Sequence, residues 1–392
     1  MRPREIRPDV HFVGAPDFDR RLFDALIPLP DGTSYNAYLV RGRDKTVLID
    51  AVEPAKLHVL EGYLKDVPKI DYLVSNHTEQ DHSGGIPWVL ERYPAVEVLA
   101  SEPAKPMLAD HLGLDATRIR AVADGERLAL GGKTLRFIYT PWVHWPETMS
   151  TYLEEDQILF SCDWFGSHIA QTDLFVDGVD GILAEAKRYY AEIMMPFRKI
   201  VQKNLDKIKD LEIALIAPSH GPIHRDPSSI IRAYRDWTDD TPHNSVVIPW
   251  VTMHGSTELM VERLTAALVE RGVTVFPFNM ATADLGQLAM ALVDAATLVV
   301  AAPTVHVGPH PIAFGAVVLA NALRPKVRFA SVIGSYGWGS KMVDTVKAAV
   351  PGLRVEFLPP VIAKGLPRAA DFEALDGLAE AIAAKHKELG LS

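Results

Sequence analysis

The sequence is nearly free of cysteine. Its single thiol, Cys162, excludes an intrachain disulfide, a Cys-x-x-Cys metal knuckle and a cysteine-ligated iron–sulfur cluster. Also missing are an uninterrupted apolar run long enough to span a bilayer and an apolar segment behind Met1-Arg2-Pro3-Arg4-Glu5. We therefore expect a cytoplasmic protein with no membrane contact. Positive charge is in deficit, with 40 Lys and Arg against 50 Asp and Glu and a formal charge of −10. A nucleic-acid binder would show a basic face, so that class is set aside. Tandem repeats and low-complexity segments are absent too. What is present is an ordinary globular composition, 48% hydrophobic and 23% charged over 392 residues, which is long for one core and comfortable for two domains.

The first part of the chain alternates short strand-like runs with turns (residues 11–14, 38–40 and 46–50), then strands with helices (helix 55–65, strand 72–75, helix 86–93, strand 96–99). Helical periodicity over 182–208 is broken at Pro196. The strand at 72–75 runs into Asn76-His77-Thr78-Glu79-Gln80-Asp81-His82-Ser83-Gly84-Gly85, which places four metal-competent side chains within six residues. In an extended loop His77 and Glu79 point the same way while Asp81 and His82 point elsewhere, so the spacing suggests two metals. Asp81 or Ser83 as the cap of the next helix is the plainer reading of the same loop. Three more candidate ligands follow strand-like runs: His144 after residues 135–139, Asp163 after 157–160, and His220 after 214–217.

A polar stretch, Thr238-Asp239-Asp240-Thr241-Pro242-His243-Asn244, separates this region from five strand–helix units with strands at 246–251, 273–278, 298–302, 328–333 and 354–357. Strict alternation of this kind predicts an open, doubly wound parallel sheet, which binds ligands at the carboxyl ends of its strands. The first strand runs into Thr252-Met253-His254-Gly255-Ser256-Thr257 and a helix. Hydroxyls and free amides at a helix N-terminus form a phosphate cradle, although Ser and Thr are also common caps. The loop has no lysine of the kind that nucleotide hydrolysis uses, which favours a phosphate held as part of a cofactor. Loops Pro303-Thr304-Val305-His306-Val307-Gly308-Pro309 and Ser335-Tyr336-Gly337-Trp338-Gly339 follow the third and fourth strands. Tyr336 and Trp338 suit a flat ring such as a flavin, or else cover the core. His254 and His306 are in place for a polar contact to it.

On these residues the chain resembles the flavodiiron proteins, or A-type flavoproteins, over essentially its full length. Residues 1–243 are similar to the metallo-β-lactamase fold, an αββα sandwich, and residues 246–392 to a short-chain flavodoxin with a doubly wound parallel five-stranded sheet. Hydrolases of the first fold carry His-x-His-x-Asp-His, whereas His77-Thr78-Glu79-Gln80-Asp81-His82 matches the flavodiiron pattern, and its carboxylates suit iron. The resemblance implies one iron at His77, Glu79 and His144, a second at Asp81, His82 and His220, Asp163 between them, and FMN on the three flavodoxin loops. It implies reduction of dioxygen to water, of nitric oxide to nitrous oxide, or of both. It also implies a head-to-tail homodimer, or a dimer of such dimers, in which one subunit's flavin serves the other's irons. The chain ends soon after the last predicted helix, so we expect a separate electron donor, a rubredoxin-like protein or reduced coenzyme F420. Two other classes are kept: a zinc hydrolase fused to a flavodoxin module, and a non-catalytic flavin electron carrier.

Several residues stay open at this stage. His168 reads equally as a proton donor beside the metals and as a packing histidine. Either Tyr189 or Tyr190 falls where the family has a tyrosine near the substrate pocket, and helix packing is the default for both. Trp142 and Trp145 wall the pocket or belong to the core. Cys162 reads as a small buried residue.

Overall fold

A computed structural model describes residues 1–391. It divides into two compact units, Met1–Thr238 and Asp239–Ser392. In the first unit two seven-stranded sheets carry the chain. The sequence pattern explains their layering. In the first sheet Leu39, Leu48, Leu73 and Val98 point to one face, where they meet Leu60, Leu64, Ile86, Val89 and Leu108 from helices. Their neighbours Tyr38, Val40, Val47, Ile49, Val74 and Leu99 point to the other face and meet Leu135, Phe137, Ile158, Phe160, Leu215 and Ala217 of the second sheet. The alternation of side chains along a strand produces a helix-facing core and a sheet-facing core from the same residues. Each such side chain contributes about 2 kcal/mol on burial. This is the expected αββα sandwich.

The strand Tyr72–Ser75 is parallel to Thr46–Ile49 and to Glu97–Ser101. In the second sheet Met149–Leu153, which the sequence reading missed, pairs antiparallel with Thr134–Tyr139 and with Ile158–Cys162. Ile158–Cys162 is parallel to Leu215–Pro218. The periodic stretch broken at Pro196 is three segments: helix Leu183–Tyr189, a π-helical turn Tyr190–Met194, and, after a short turn of 3-10 helix over Met195–Phe197, helix Arg198–Lys207. Proline alone does not account for the break, because the π turn precedes it.

The second unit has its main strands in the order Thr274–Asn279, His243–Trp250, Ala295–Val305, Phe329–Tyr336, then Glu356–Phe357 with Val361–Lys364. All are parallel. With chain order 2-1-3-4-5 this is the flavodoxin-like doubly wound sheet. Val246, Ile248, Val299 and Ile333 pack with Met260, Leu264, Leu378 and Ile382 on one face. Val247, Val300 and Val332, which alternate with them, are buried as well, as both faces of a parallel sheet are. The strands extend further than the sequence reading placed them. Pro303, Thr304 and Val305 continue the third strand, and Ser335 and Tyr336 the fourth, because main-chain pairing persists to Pro303 opposite Ser335.

The last helix, Ala369–Glu388, is tied to this sheet by buried His386. Its Nδ1–H donates to Asn244 Oδ1 at 2.8 Å and its Nε2 accepts from Thr297 Oγ1 at 2.7 Å. Burial pushes its pKa down to about 4, below the ordinary value near 6.5. The depressed value means the unfolded chain takes up the proton first as pH falls. Stability from this group is complete above pH ~6.5 and is lost progressively as pH drops toward 4. We expect urea denaturation of the second unit to show roughly 1 kcal/mol less stability at pH 5 than at pH 7 after allowing for solvent screening, and a His386→Gln variant to lose most of that dependence.

Candidate metal centre and flavin site

The candidate metal ligands come from four strand ends. Asn76, at the end of Tyr72–Ser75, fixes their registry. Its N–H and Nδ2 donate to the two carboxylate oxygens of buried Asp50 at 2.8 and 2.9 Å, its Oδ1 accepts from Thr151 Oγ1 at 2.7 Å, and its carbonyl accepts from Met149 N–H at 2.9 Å. One residue thereby joins strands of the two sheets. Glu79 then sits at the N-cap of a single helical turn, Gln80–Ser83, without capping it through its side chain. The turn carries Asp81 and His82 away from His77 and Glu79. The His144 loop is pinned by Asn204 Nδ2 on Pro141 O at 2.9 Å and by Trp142 N–H on Trp145 O at 2.7 Å. Asp50, Trp142, Cys162 and Phe165, all beside ligand-bearing positions, have positive φ (56°, 62°, 54° and 68°). Such backbone is uncommon without glycine and clusters at functional sites.

The side chains form two groups whose ligand atoms lie within 4.8 Å of one another: His77, Glu79, His144 and Asp163, and Asp81, His82 and His220. Glu79 Oε2 is 3.2 Å from His77 Nε2 and 3.1 Å from His144 Nε2. Asp81 reaches His82 Nε2 at 3.3 Å through Oδ1 and His220 Nε2 at 3.2 Å through Oδ2. Asp163 faces both groups. Its Oδ1 is 2.9 Å from His82 Nε2 and 3.4 Å from His220 Nε2, and its Oδ2 is 3.4 Å from His77 Nε2 and 3.5 Å from His144 Nε2. Both oxygens of Asp81, both oxygens of Asp163 and both ring nitrogens of His82 are buried with no aligned hydrogen-bond partner among the described residues. The short His82–Asp163 approach thus lacks the alignment of a hydrogen bond. Buried polar atoms left unpaired cost stability, and a pair of cations between these atoms would satisfy them.

The electrostatics agree with the geometry. Burial alone would raise the Asp163 pKa, but the charges of His82 and His77 and the contact with His144 hold it well below the carboxylate range. Glu79 is likewise lowered, against burial, by its bonds to His144 and His77. His82 is raised to about 9, against burial, by Asp81 and Asp163. The field favours positive charge at the centre, carried by protons or by metal. A donor set of imidazoles and carboxylates fits iron, with zinc as a competitor.

Around this centre the structure distinguishes the open residues. Tyr189 packs its ring 4.8 Å from His168 and 5.8 Å from His220. Tyr190 instead packs on Tyr234 and Trp237 and donates to Trp237 O at 3.2 Å. Adjacent helical residues point about 100° apart, and the two tyrosines accordingly have different destinations. His168 is buried, its Nδ1 2.9 Å from Thr33 Oγ1, its ring 4.9 Å from that of His220, and its Nε2 without a partner among the described residues. Trp145 stands edge-on to His77 at 4.9 Å and to His144 at 6.0 Å, so it walls the centre, while Trp142 stacks on Phe197. Cys162 is buried.

Sequence reasoning missed several contributors. Glu147 accepts from His77 Nδ1, and the Ser34 carbonyl from His220 Nδ1. A hairpin of Leu22–Phe23 and Ile27–Pro28 sets Phe23 against His168. At its tip, burial, followed by the charges of Glu79 and Asp81, pushes the Asp24 carboxyl up. A carboxylate three residues after His144, on the way into a buried strand, is a signal that would have pointed to Glu147.

In the second unit, Thr252 Oγ1 accepts from Gly255 N–H at 3.0 Å, shaping the turn before helix Ser256–Val269. Gly255 has φ +85° and open space where a Cβ would stand. Thr257 Oγ1, in the first helical turn, is buried without a partner among the described residues. An anion at the first helical amides would meet all three features, so the loop fits a flavin phosphate. The two other candidate loops are joined side by side by Thr304 Oγ1 and Ser340 Oγ at 2.8 Å and by Lys341 N–H on Val307 O at 2.7 Å. His306 and Val307 take the positive-φ turn between them, and Trp338 is 89% exposed.

The model of the ODP family beta lactamases matches residues 33–221. The nitric oxide reductase of Moorella thermoacetica is 36% identical, the alignment covering 98% of this chain and 99% of that protein. Among solved structures, the rubredoxin oxygen:oxidoreductase of Desulfovibrio gigas superposes with a TM-score of 0.95 at 29% identity, covering all of both chains. A mutant of the flavo di-iron protein from Thermotoga maritima superposes with a TM-score of 0.87 at 26% identity, covering 99% of this chain and 98% of that one. With its metal-binding geometry in one unit, its flavodoxin-like sheet in the other, and relatives matched from end to end, the chain belongs to the flavodiiron proteins, the A-type flavoproteins.

Proposed function

We propose that this chain reduces dioxygen to water, nitric oxide to nitrous oxide, or both, at a diiron centre held by His77, Glu79, Asp81, His82, His144, Asp163 and His220 and fed by FMN. The observation that carries the reading is Asp163, whose two oxygens address two matched groups of two imidazoles and one carboxylate. When bound, a diiron pair and FMN together supply up to four electrons, the number that takes dioxygen to two waters, and the iron pair alone supplies the two that couple two nitric oxides.

The protein's own residues do the rest. Glu79 and Asp81 give each position an anionic oxygen. Trp145 and Phe23 cover the imidazoles and limit water. His168 and Tyr189 stand at His220, and the buried, unpartnered Nε2 of His168 offers a polar contact to a small neutral substrate. On the flavin side, residues 252–257 hold the phosphate, and Pro303, Thr304, Val305, His306, Gly308, Ser335, Tyr336, Gly337, Trp338 and Gly339 frame the ring. The test is consumption of dioxygen and of nitric oxide by the iron- and FMN-loaded protein with a reduced donor. Water without accumulating peroxide supports the oxygen reaction. A large peroxide yield counts against it.

A separate donor, rubredoxin-like or reduced F420, is part of this reading, as is a head-to-tail homodimer. Exposed apolar side chains support the dimer: Trp338, 89% exposed, and Met253, 52% exposed, on the flavin loops, and Leu26, 64% exposed, and Phe18, 49% exposed, in and just before the hairpin of Leu22–Phe23 and Ile27–Pro28. Dilution to monomers is expected to slow electron delivery to the metals in stopped-flow measurements, and full activity of a monomer would refute the arrangement.

A further inference from the structure

The two ligand groups have matching donors, but their surroundings differ. Glu147 is 1% exposed. Its Oε1 accepts from His77 Nδ1 at 2.7 Å, from Thr78 N–H at 3.0 Å and from Thr78 Oγ1 at 2.8 Å, while Oε2 is buried without a partner among the described residues. His77 thus gives its outer N–H to an anion. On the other side His220 gives its Nδ1–H to the neutral carbonyl of Ser34 at 2.6 Å, and His82 Nδ1 is buried with no partner among the described residues. Asp50, the other buried carboxylate nearby, is occupied by the Asn76 amides rather than by a ligand.

A carboxylate that accepts the outer N–H of a ligating imidazole makes that imidazole a stronger base and fixes its tautomer and orientation. A stronger donor stabilises the more highly charged state of the ion it binds. We propose that Glu147 is a positioning residue that makes the two metal positions unequal, holding the ion at His77, Glu79 and His144 at a lower reduction potential than the ion at Asp81, His82 and His220. In stepwise chemical reduction of the oxidised pair, the first electron goes to the ion at Asp81, His82 and His220. This rests on the diiron reading above.

Glu147→Gln tests it on the iron-loaded full chain. Glutamine keeps one oxygen for the His77 and Thr78 donors and puts its amide where Oε2 has no partner, so the charge is removed and the shape kept. Stepwise reductive titration followed by electron paramagnetic resonance and Mössbauer spectroscopy resolves the two ions. The ferric preference at the His77 position is expected to fall about tenfold, a rise of about 59 mV for one electron, with a much smaller change at the other ion. Equal movement of both potentials, or of neither, overturns the proposal. Thr78→Val is the second variant. It removes one donor that competes for Oε1 and leaves the charge, so the His77-side potential is expected to fall. If the glutamine variant does not hold iron, an upward shift or no shift in Thr78→Val overturns the proposal. Wild-type protein that binds no iron under the same conditions overturns the diiron reading instead, which keeps the two failures apart.

Discussion

Asp163→Asn is expected to lower metal content from two ions per chain to one or fewer, and to cut dioxygen and nitric oxide turnover by at least ~100-fold. The side chain is 1% exposed and addresses four imidazoles through two oxygens, Oδ1 toward His82 and His220 and Oδ2 toward His77 and His144. Asparagine keeps one of those oxygens. In place of the other it presents an NH2 group, which has no lone pair for a metal and aims its hydrogens at whichever position it faces. One position loses a ligand and both lose half of a shared negative charge. Removing a partner that merely orients a ligand already costs 10–100-fold in such sites, so removal of a shared ligand sets the lower bound. Metal analysis and gas-consumption assays read the two effects separately. An asparagine variant with two ions and full turnover would show that Asp163 is not shared between them.

Glu79→His is the second large effect. It converts His77-Thr78-Glu79-Gln80-Asp81-His82 into the His-x-His-x-Asp-His of the hydrolases. Glu79 Oε2 now approaches both His77 Nε2 and His144 Nε2, at 3.2 and 3.1 Å. It gives this position an anionic oxygen of its own beside the shared Asp163. An imidazole in its place removes a hard donor that suits ferric and ferrous iron alike and leaves a set with which zinc is content. Protein from iron-supplemented cells is expected to show the zinc-to-iron ratio rising on the order of tenfold, with oxygen reduction lost. If the variant takes up iron as the wild type does, Glu79 does not select the metal. Zinc in the wild type, together with thioester or phosphodiester hydrolysis, would favour the hydrolase reading.

The strand ends were legible because they are written as short apolar runs that stop at a ligand. Tyr72–Ser75 before His77 and Ile158–Cys162 before Asp163 both declare a strand by pattern and a site by chemistry. The alternating second half was legible for a similar reason, since buried parallel strands and amphipathic helices differ in period. What escaped was structure without a local pattern. Met149–Leu153 is buried at every residue but carries Ser150 and Thr151, so it shows neither alternation nor an apolar run. The π turn at Tyr190–Met194 inserts its extra residue without any sequence mark, and no local pattern showed that Tyr189 packs on His220 and Tyr190 on Trp237. The residues supporting the ligands were harder to find for a third reason. Asp50, Glu147 and Thr33 are distant in sequence from the residues they hold, and only the closure of the two sheets brings Glu147 to His77 across 70 positions. The hairpin that carries Phe23 and Asp24 is two residues on each side, below the length at which periodicity means anything.

The flavin loops show where a strand-end rule is approximate. Pro303–Val305 and Ser335–Tyr336 are strand rather than loop because pairing with a neighbour outlasts the apolar run. The turns that follow, His306–Val307 and Gly337–Trp338, are therefore the parts we propose meet the ring.

Metal and flavin content per chain tests the central claim most directly, on protein grown in iron-supplemented medium and purified without added metal. The account predicts two irons and one FMN per chain. Zinc without flavin, from cells given ample iron, would contradict it.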